Sequence, residues 1–187
     1  MEENMKMYDA LGPEKVIRLY DPKSGLRALL CIDNTRRGPA KGGVRMRSDV
    51  TEEEVFRLAR VMTFKCAMAG LPLGGGKSAI LADPSLLTRA QKKALCIAYG
   101  RAIRYLAPSE YIAAPDMNTA EQEMAWIVQG NGNKKSVTGK PKKLGGIPTR
   151  EEVAKAMGET VKQVEHIQRT MLFQTHPTYL RDAVYLG

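Results

Sequence analysis

The sequence predicts an α/β fold: a mostly parallel sheet with helices on both faces, followed by a small helical C-terminal tail. Two observations predict it. Short apolar runs alternate along the chain with stretches whose apolar residues recur at three- and four-residue spacing and which open on a capping pattern, as strands and amphipathic helices do. The chain of 187 residues is also long enough to bury a substantial core as one domain. Between Gln129 and Pro148 the composition shifts to Gly, Asn, Lys and Pro, which divides a domain over 1–148 from a helical tail over 149–187.

Residues 15–32 read as a hairpin: Val16 to Tyr20, a turn at Asp21 to Gly25, and the apolar run Leu26 to Ile32. Asp33 to Gly43 then reads as a turn-rich loop, with Lys41 beside Gly42 and Gly43. Thr51 and Glu54 form a capping-box pattern, and Val55, Leu58, Ala59, Met62, Cys66 and Ala69 follow at helical spacing. This predicts an amphipathic helix that carries Lys65 at its end. Gly70 suits a left-handed stop, and Pro72 prevents resumption. Gly74, Gly75 and Gly76 read as a glycine turn leading through Lys77 into an apolar strand over 78–82.

Thr88 with Gln91 caps a helix expected to run through Leu106 and end before Pro108, with Leu95, Ala98, Ala102, Ile103 and Leu106 on its apolar side. Tyr111 to Ala114 is a short apolar strand. Asp116 follows at its carboxyl end, where open α/β sheets place their chemistry. Thr119 with Gln122 is expected to cap another helix, with Met124, Ile127 and Val128 inward. The stretch after it, with Lys134, Lys135, Lys140, Lys142 and Lys143, reads as a long solvated basic loop, because it has no aromatic residues on which bases could stack.

The formal net charge is +9, which fits an anionic partner without saying whether it is a phosphate, a carboxylate or a nucleic acid. From Thr149 onward the charges balance, Arg150, Lys155, Lys162, Arg169 and Arg181 against Glu151, Glu152, Glu159, Glu165 and Asp182, so the excess lies in the first part. Cys31, Cys66 and Cys96 are odd in number, far apart and set in apolar runs. They suit reduced core thiols of a cytoplasmic protein and do not have metal-ligand spacing. No apolar run is long enough to span a membrane, and the acidic start is not a signal peptide, so no membrane association is expected. His166 and His176 read as incidental helix and loop residues.

The end of the glycine run, Gly76-Lys77-Ser78, imitates a P-loop, but that motif needs glycine where Leu71 stands and runs strand, glycines, helix. The dinucleotide fingerprint fails on the same order. What is left is a tight connection bearing solvated lysines, or a site in which Lys41, Lys65, Lys77 and Asp116 meet. In a site, clustered ammonium groups depress one another's pKa, so one lysine can deprotonate near neutral pH while the others hold carboxylates. Asp116 would then move protons and a lysine polarise the reacting carbon's substituent. Such a set suits a small dicarboxylate undergoing reductive amination.

Several stretches carry a resemblance: Gly38 to Met46, Met62 to Ala67, Leu71 to Ser78, Ala114 to Thr119, and Thr138 to Pro141 with Leu144, Gly145 and Gly146. Together, over about residues 7–152, they resemble the amino-terminal, dimerisation domain of the glutamate/leucine/phenylalanine/valine dehydrogenases. The resemblance implies a substrate-binding and oligomer-forming domain, with NAD or NADP bound by a Rossmann domain that follows it in the family. It implies Lys77 as the catalytic lysine, Asp116 as the proton-transferring aspartate, Lys65 as the partner of the substrate α-carboxylate and Lys41 as the partner of a glutamate side-chain carboxylate. Gly42, Gly43, Gly74 and Gly75 correspond to glycines that shape the pocket floor. Lys41 favours glutamate, since branched-chain members carry an apolar residue there; the turn at Asp21 to Gly25 is closer to leucine enzymes.

The residues from Val153 onward show no glycine fingerprint and are too few for a Rossmann fold. The expectation is therefore a homo-oligomer that is inactive alone and works with a separate Rossmann-domain chain. The tail instead resembles a helix-turn-helix, with helices at Arg150 to Met157 and Val161 to Arg169 hinged at Gly158. This keeps a second reading open, a non-catalytic regulatory or DNA-binding protein that reuses the domain.

Overall fold

The computed structural model describes residues 8–141, together with Thr160 and Lys162. The expected helix-turn-helix tail, with any DNA contact it would make, and the glycines at 145–146 lie outside the described residues. Residues 8–141 fall within one compact unit. The strands are β1 (Lys15–Asp21), β2 (Leu26–Asn34), β3 (Ala40–Met46), β4 (Gly74–Ile80) and β5 (Tyr111–Ala114), and the helices are α1 (Glu52–Met68), α2 (Arg89–Ala102) and α3 (Glu121–Asn131).

They form one five-stranded sheet in the order β1-β2-β4-β3-β5. It is mixed rather than mostly parallel: β1–β2 and β2–β4 pair antiparallel, β3–β4 and β3–β5 parallel. The expected hairpin supplies the antiparallel β1–β2 pair, because a short turn can join only antiparallel neighbours. Helices do cover both faces. Helix α1 packs on Leu29, Cys31 and Ala79, burying Val55 and Ala59. Helices α2 and α3 lie opposite, where Leu30, Val44 and Ile80 meet Leu95, Tyr99, Met124 and Ile127. Fully burying one such aliphatic side chain is worth about 1.5–3 kcal/mol, so the α2–α3 face carries most of the core.

The caps explain where the helices start. Thr51 accepts the Glu54 amide at 3.1 Å, and Thr88 forms a complete box with Gln91. Gly70 sits at φ +65°, the left-handed stop expected after α1. Helix α2 ends at Ala102 rather than Leu106, and the chain passes through turns to β5. Helix α3 is not capped by Thr119: Ala120 occupies the cap position, and its amide donates to Glu123 Oε2 at 2.8 Å. Thr119 is used elsewhere, as described below.

Two segments read as turns are strands. Lys41, Gly42 and Gly43 belong to β3, and Gly74, Gly75 and Gly76 begin β4, which is buried throughout. Glycine is a poor strand former in isolation, so the sequence signal is weak. The register is tolerated because the missing side chains leave room for neighbours: a Cβ on Gly75 would lie 2.1 Å from the Thr63 amide nitrogen of α1. The expected solvated loop also packs in part. Ser136 and Val137 are buried, Thr138 donates its amide to Ala113 O at 2.8 Å, and the buried Lys140 donates to Val137 O at 2.6 Å. Cys31, Cys66 and Cys96 are buried free thiols. Among the described residues no helix is long and apolar enough to cross a membrane, and no cluster of side chains suits a metal ion.

Candidate functional site

Strand parity decides which side chains can meet. Lys41 pairs with Gly75 across β3 and β4, and the same offset holds at Val44 and Ser78, which sets Gly43 beside Lys77. Lys41, Gly43, Arg45, Gly75 and Lys77 therefore share the face covered by α1. Asp116 enters from just past the carboxyl end of β5. A Cβ on Gly43 would lie 2.4 Å from Asp116 Oδ2, so only glycine leaves the carboxylate its place. Gly42 and Gly74 have the opposite strand parity. A Cβ on either would meet neighbouring backbone at 1.7 Å, the Gly76 carbonyl for Gly42 and the Asn34 carbonyl for Gly74, so they permit close strand approach instead.

Lys77 and Asp116 are in direct contact. The Lys77 Nζ donates to Asp116 Oδ2, and the two side chains are 9% and 13% exposed. The other oxygen, Oδ1, accepts the Met117 amide at 2.6 Å and the Arg45 guanidinium from Nε and Nη2 at 3.3 Å. Thr119 fixes the turn: its hydroxyl accepts the Asp116 amide at 3.0 Å and donates to Val44 O at 2.6 Å. The residue expected to cap α3 thus anchors the loop that aims Asp116.

Burial pushes the Lys77 ammonium down to about 8, with the Arg45 charge and, more weakly, that of Lys65 acting the same way and Glu54 opposing them. Proton release by Lys77 is thereby brought closer to neutral pH than for an ordinary lysine, while the Asp116 carboxylate in contact with it favours the charged form. Lys65 lies in the last turn of α1 and is exposed; Lys41 is half-buried. Lys65 is near enough to act on Lys77, and Lys41 and Lys65 together work against the burial that raises the Cys66 thiol. The three lysines thus occupy one neighbourhood, with Lys77 inside and Lys65 at the surface.

Sequence reasoning missed Arg45 and Glu54. Arg45 lies within the quoted motif of β3, and a lone arginine between Val44 and Met46 in a strand was the available signal. Glu54 was read as the second half of a capping box. Its carboxylate turns instead to Arg45, and its other oxygen accepts from Arg47 Nη2 at 3.1 Å. An open cleft of about 430 Å3 lined by Arg45, Thr51, Glu53, Glu54, Arg57 and Leu58 borders this pair. Also missed was the clamp beneath α1. Asp33 is fully buried, Arg60 Nε donates to both its oxygens at 2.9 and 3.0 Å, and the Thr63 hydroxyl donates to Oδ2.

The glycines do not fit a dinucleotide phosphate. They begin a strand rather than a helix, and Asn34, Thr63 and the Tyr111 ring stand 1.7, 2.1 and 3.1 Å from where Cβ atoms of Gly74, Gly75 and Gly76 would be. The arrangement can instead hold small anions at its lysines and pass a proton between a buried amine and a carboxylate.

The chain is 40% identical over 139 residues to a catabolic NAD-specific glutamate dehydrogenase of Bacillus subtilis, covering 71% of this chain and 32% of that one. It is 43% identical over 136 residues to a glutamate dehydrogenase of Thermotoga maritima, covering 69% and 32%. The chain thus spans about a third of the length of these curated relatives. Among solved structures, the hetero-hexameric glutamate dehydrogenase of Thermus thermophilus in its Leu-bound form superposes with a TM-score of 0.69 at 29% identity, covering 85% of this chain and 46% of that one. The glutamate dehydrogenase of Peptoniphilus asaccharolyticus superposes with a TM-score of 0.66 at 33% identity, covering 79% and 44%. Residues 13–131 match the family described as Glu/Leu/Phe/Val dehydrogenase, dimerisation domain, and with the fold and these relatives in agreement, the chain belongs to that family.

Proposed function

We propose that this chain is the substrate-binding half of an NAD- or NADP-dependent amino-acid dehydrogenase that converts L-glutamate to 2-oxoglutarate and ammonia, working as a cytoplasmic homo-oligomer. The observation that carries this reading is the buried contact between Lys77 and Asp116, with the Lys65 charge close enough to be felt. In this reading Lys65 holds the α-carboxylate, Lys41 the side-chain carboxylate, and Lys77 polarises the group on the α-carbon while Asp116 takes up and returns the proton. Gly43 and Gly75 keep the floor between them clear. The dinucleotide, which accepts the hydride, is assigned to a nucleotide-binding unit not formed by the described residues, whether in the same protein or in a separate chain.

Chemical-shift titration of the lysine side chains tests this. Glutamate or 2-oxoglutarate should move the Lys41, Lys65 and Lys77 signals more than leucine does, and Lys41→Leu should abolish the preference with the fold intact. A charge-assisted contact of about 1.5–3 kcal/mol corresponds to a roughly tenfold to hundredfold change in affinity. Equal responses to leucine and 2-oxoglutarate, or responses scattered over other lysines, would overturn the assignment.

A further inference from the structure

Six charged side chains of alternating sign run in contact from the interior to the surface: Lys77, Asp116, Arg45, Glu54, Arg47 and Asp49. Their side-chain exposures rise in the same order, 9, 13, 15, 21, 33 and 71%. They come from β4, the loop after β5, β3, the first turn of α1 and the connection between β3 and α1, so neither helix nor strand periodicity dictates their meeting. Isolated surface ion pairs contribute little, but a row that begins on a buried amine is different, because each member alters the field at the next in a medium that screens poorly.

We propose that Arg45 and Glu54 are positioning residues for the Lys77–Asp116 pair: Arg45 occupies Oδ1 of Asp116 so that Oδ2 is left for Lys77, and Glu54 shares that guanidinium and so balances its charge. The geometry requires both parts. Arg45 touches Oδ1 only, and Lys77 touches Oδ2 only. Each Asp116 oxygen thus has its own cation, and the carboxylate is kept from rotating. Without Glu54 the guanidinium would have no counter-charge except Asp116 itself, and its full charge would bear on Lys77. The opposed influences of Arg45 and Glu54 on the Lys77 ammonium agree with this. Glu54 is free for the role because Thr51 alone caps the helix, accepting its amide, while its carboxylate turns away.

Among the described residues the groups that face Lys77 are few enough to name. They are Arg45 on β3, Glu54 and Lys65 on α1, Asp116 after β5, and the thiol of Cys31, its pair on β2; Lys41 lies further along the same face of β3, opposite Gly75. Burial pushes that thiol up to about 12, so it stays uncharged through the neutral range. The proposal uses the proposed function only for what the pair does and not for how the pair is held, and its test needs neither substrate nor cofactor.

The full chain, labelled with 13C-lysine, is titrated with pH, and the Lys77 side-chain signal is identified by its loss in Lys77→Arg. Glu54→Gln should lower the Lys77 midpoint by about half to one pH unit, and Arg45→Met should raise it by a similar amount. The exposed Lys93 of α2 serves as a control and should not move. A merely structural role for either residue would change the unfolding temperature without shifting the midpoint in opposite directions. A Glu54→Gln midpoint within about 0.2 unit of the parent, or an upward shift, would overturn the proposal. Should Arg45→Met fail to fold, the Glu54→Gln titration decides alone. Loss of 2-oxoglutarate preference with these shifts intact would count against the proposed function and not against the charge row.

Discussion

The α1 face and the α2–α3 face of the sheet are built from the same strands and treat burial in opposite ways. On the α2–α3 side, β4 presents Gly76 and Ser78 to Tyr111 and Tyr99. Tyr99 donates to the Ser78 hydroxyl at 2.7 Å, and Tyr111 donates to the Gly42 carbonyl at 2.9 Å. Burial holds Tyr99 above its ordinary value and Tyr111 at about 12, so these groups stay neutral. On the α1 side the same strand presents Lys77 among Asp116, Arg45 and Glu54, and on the neighbouring strand β2 Asp33 is fully buried against Arg60. Neutral hydroxyls satisfy backbone and each other at little risk. Charges so close to the interior cost desolvation, which a fold recovers only through paired geometry, and they are the groups able to move protons. One face therefore holds the sheet together, and the other is the one to which the proposed chemistry is assigned.

The contrast can be broken most sharply through activity. In the assembled dehydrogenase, Lys77→Met and Asp116→Asn should each lower kcat by about two to four orders of magnitude, the usual worth of a positioned proton-transfer group. Lys77→Met should lower the unfolding temperature less than Arg60→Met does, because Arg45 and the Met117 amide still satisfy Oδ1 of Asp116. Activity close to the parent's in both variants, measured by NAD(P)H formation, would remove the charged face from the chemistry.

The next largest effect concerns stability. Arg60→Met strands the fully buried Asp33 with only the Thr63 hydroxyl, and should cost about 3–5 kcal/mol, as breaking a buried pair does. Tyr111→Phe on the opposite face loses one neutral hydrogen bond and should cost about 1–2 kcal/mol. Urea denaturation of both variants measures the difference, and equal costs would mean that the faces are energetically alike.

The smallest effect is a pH dependence. Asp9 is held at about 2 first by its bonds from Arg60 and then by the Leu11 amide, below the ordinary value of 3.8. A carboxylate with a lowered folded value stabilises the fold above the unfolded value and loses that contribution as pH falls through the folded one. The gap in unfolding temperature between the parent and Asp9→Asn should therefore be present at pH 5 and close between about 4 and 2. A gap unchanged at pH 2 would show that the Asp9–Arg60 contact contributes nothing through charge.

Much of the fold was legible in local sequence. The hairpin, the starts of α1 and α2, the stop at Gly70 and the short strand before Asp116 follow from caps, turn residues and periodicity, and these act within a few residues of chain. The pairing of Lys77 with Asp116 was legible too, through resemblance and through the place of Asp116 beyond a strand. What local signals misread were residues whose partners lie far away. The glycines of β3 and β4 have no intrinsic strand preference and become strands because Thr63, Asp116 and neighbouring backbone occupy the space their side chains would need. Thr119 reads as a cap and anchors Asp116; Glu54 reads as half of a capping box and turns to Arg45.

By itself, then, the sequence determined which segments can be helices and hairpin and where α1 and α2 begin, because these depend on dihedral preference and local hydrogen bonding. Only the tertiary structure decided the mixed direction of the sheet, which face each lysine shares, and which of two possible partners Glu54 and Thr119 take. Those outcomes depend on strand register and on charges brought together from distant parts of the chain, and no local preference encodes them.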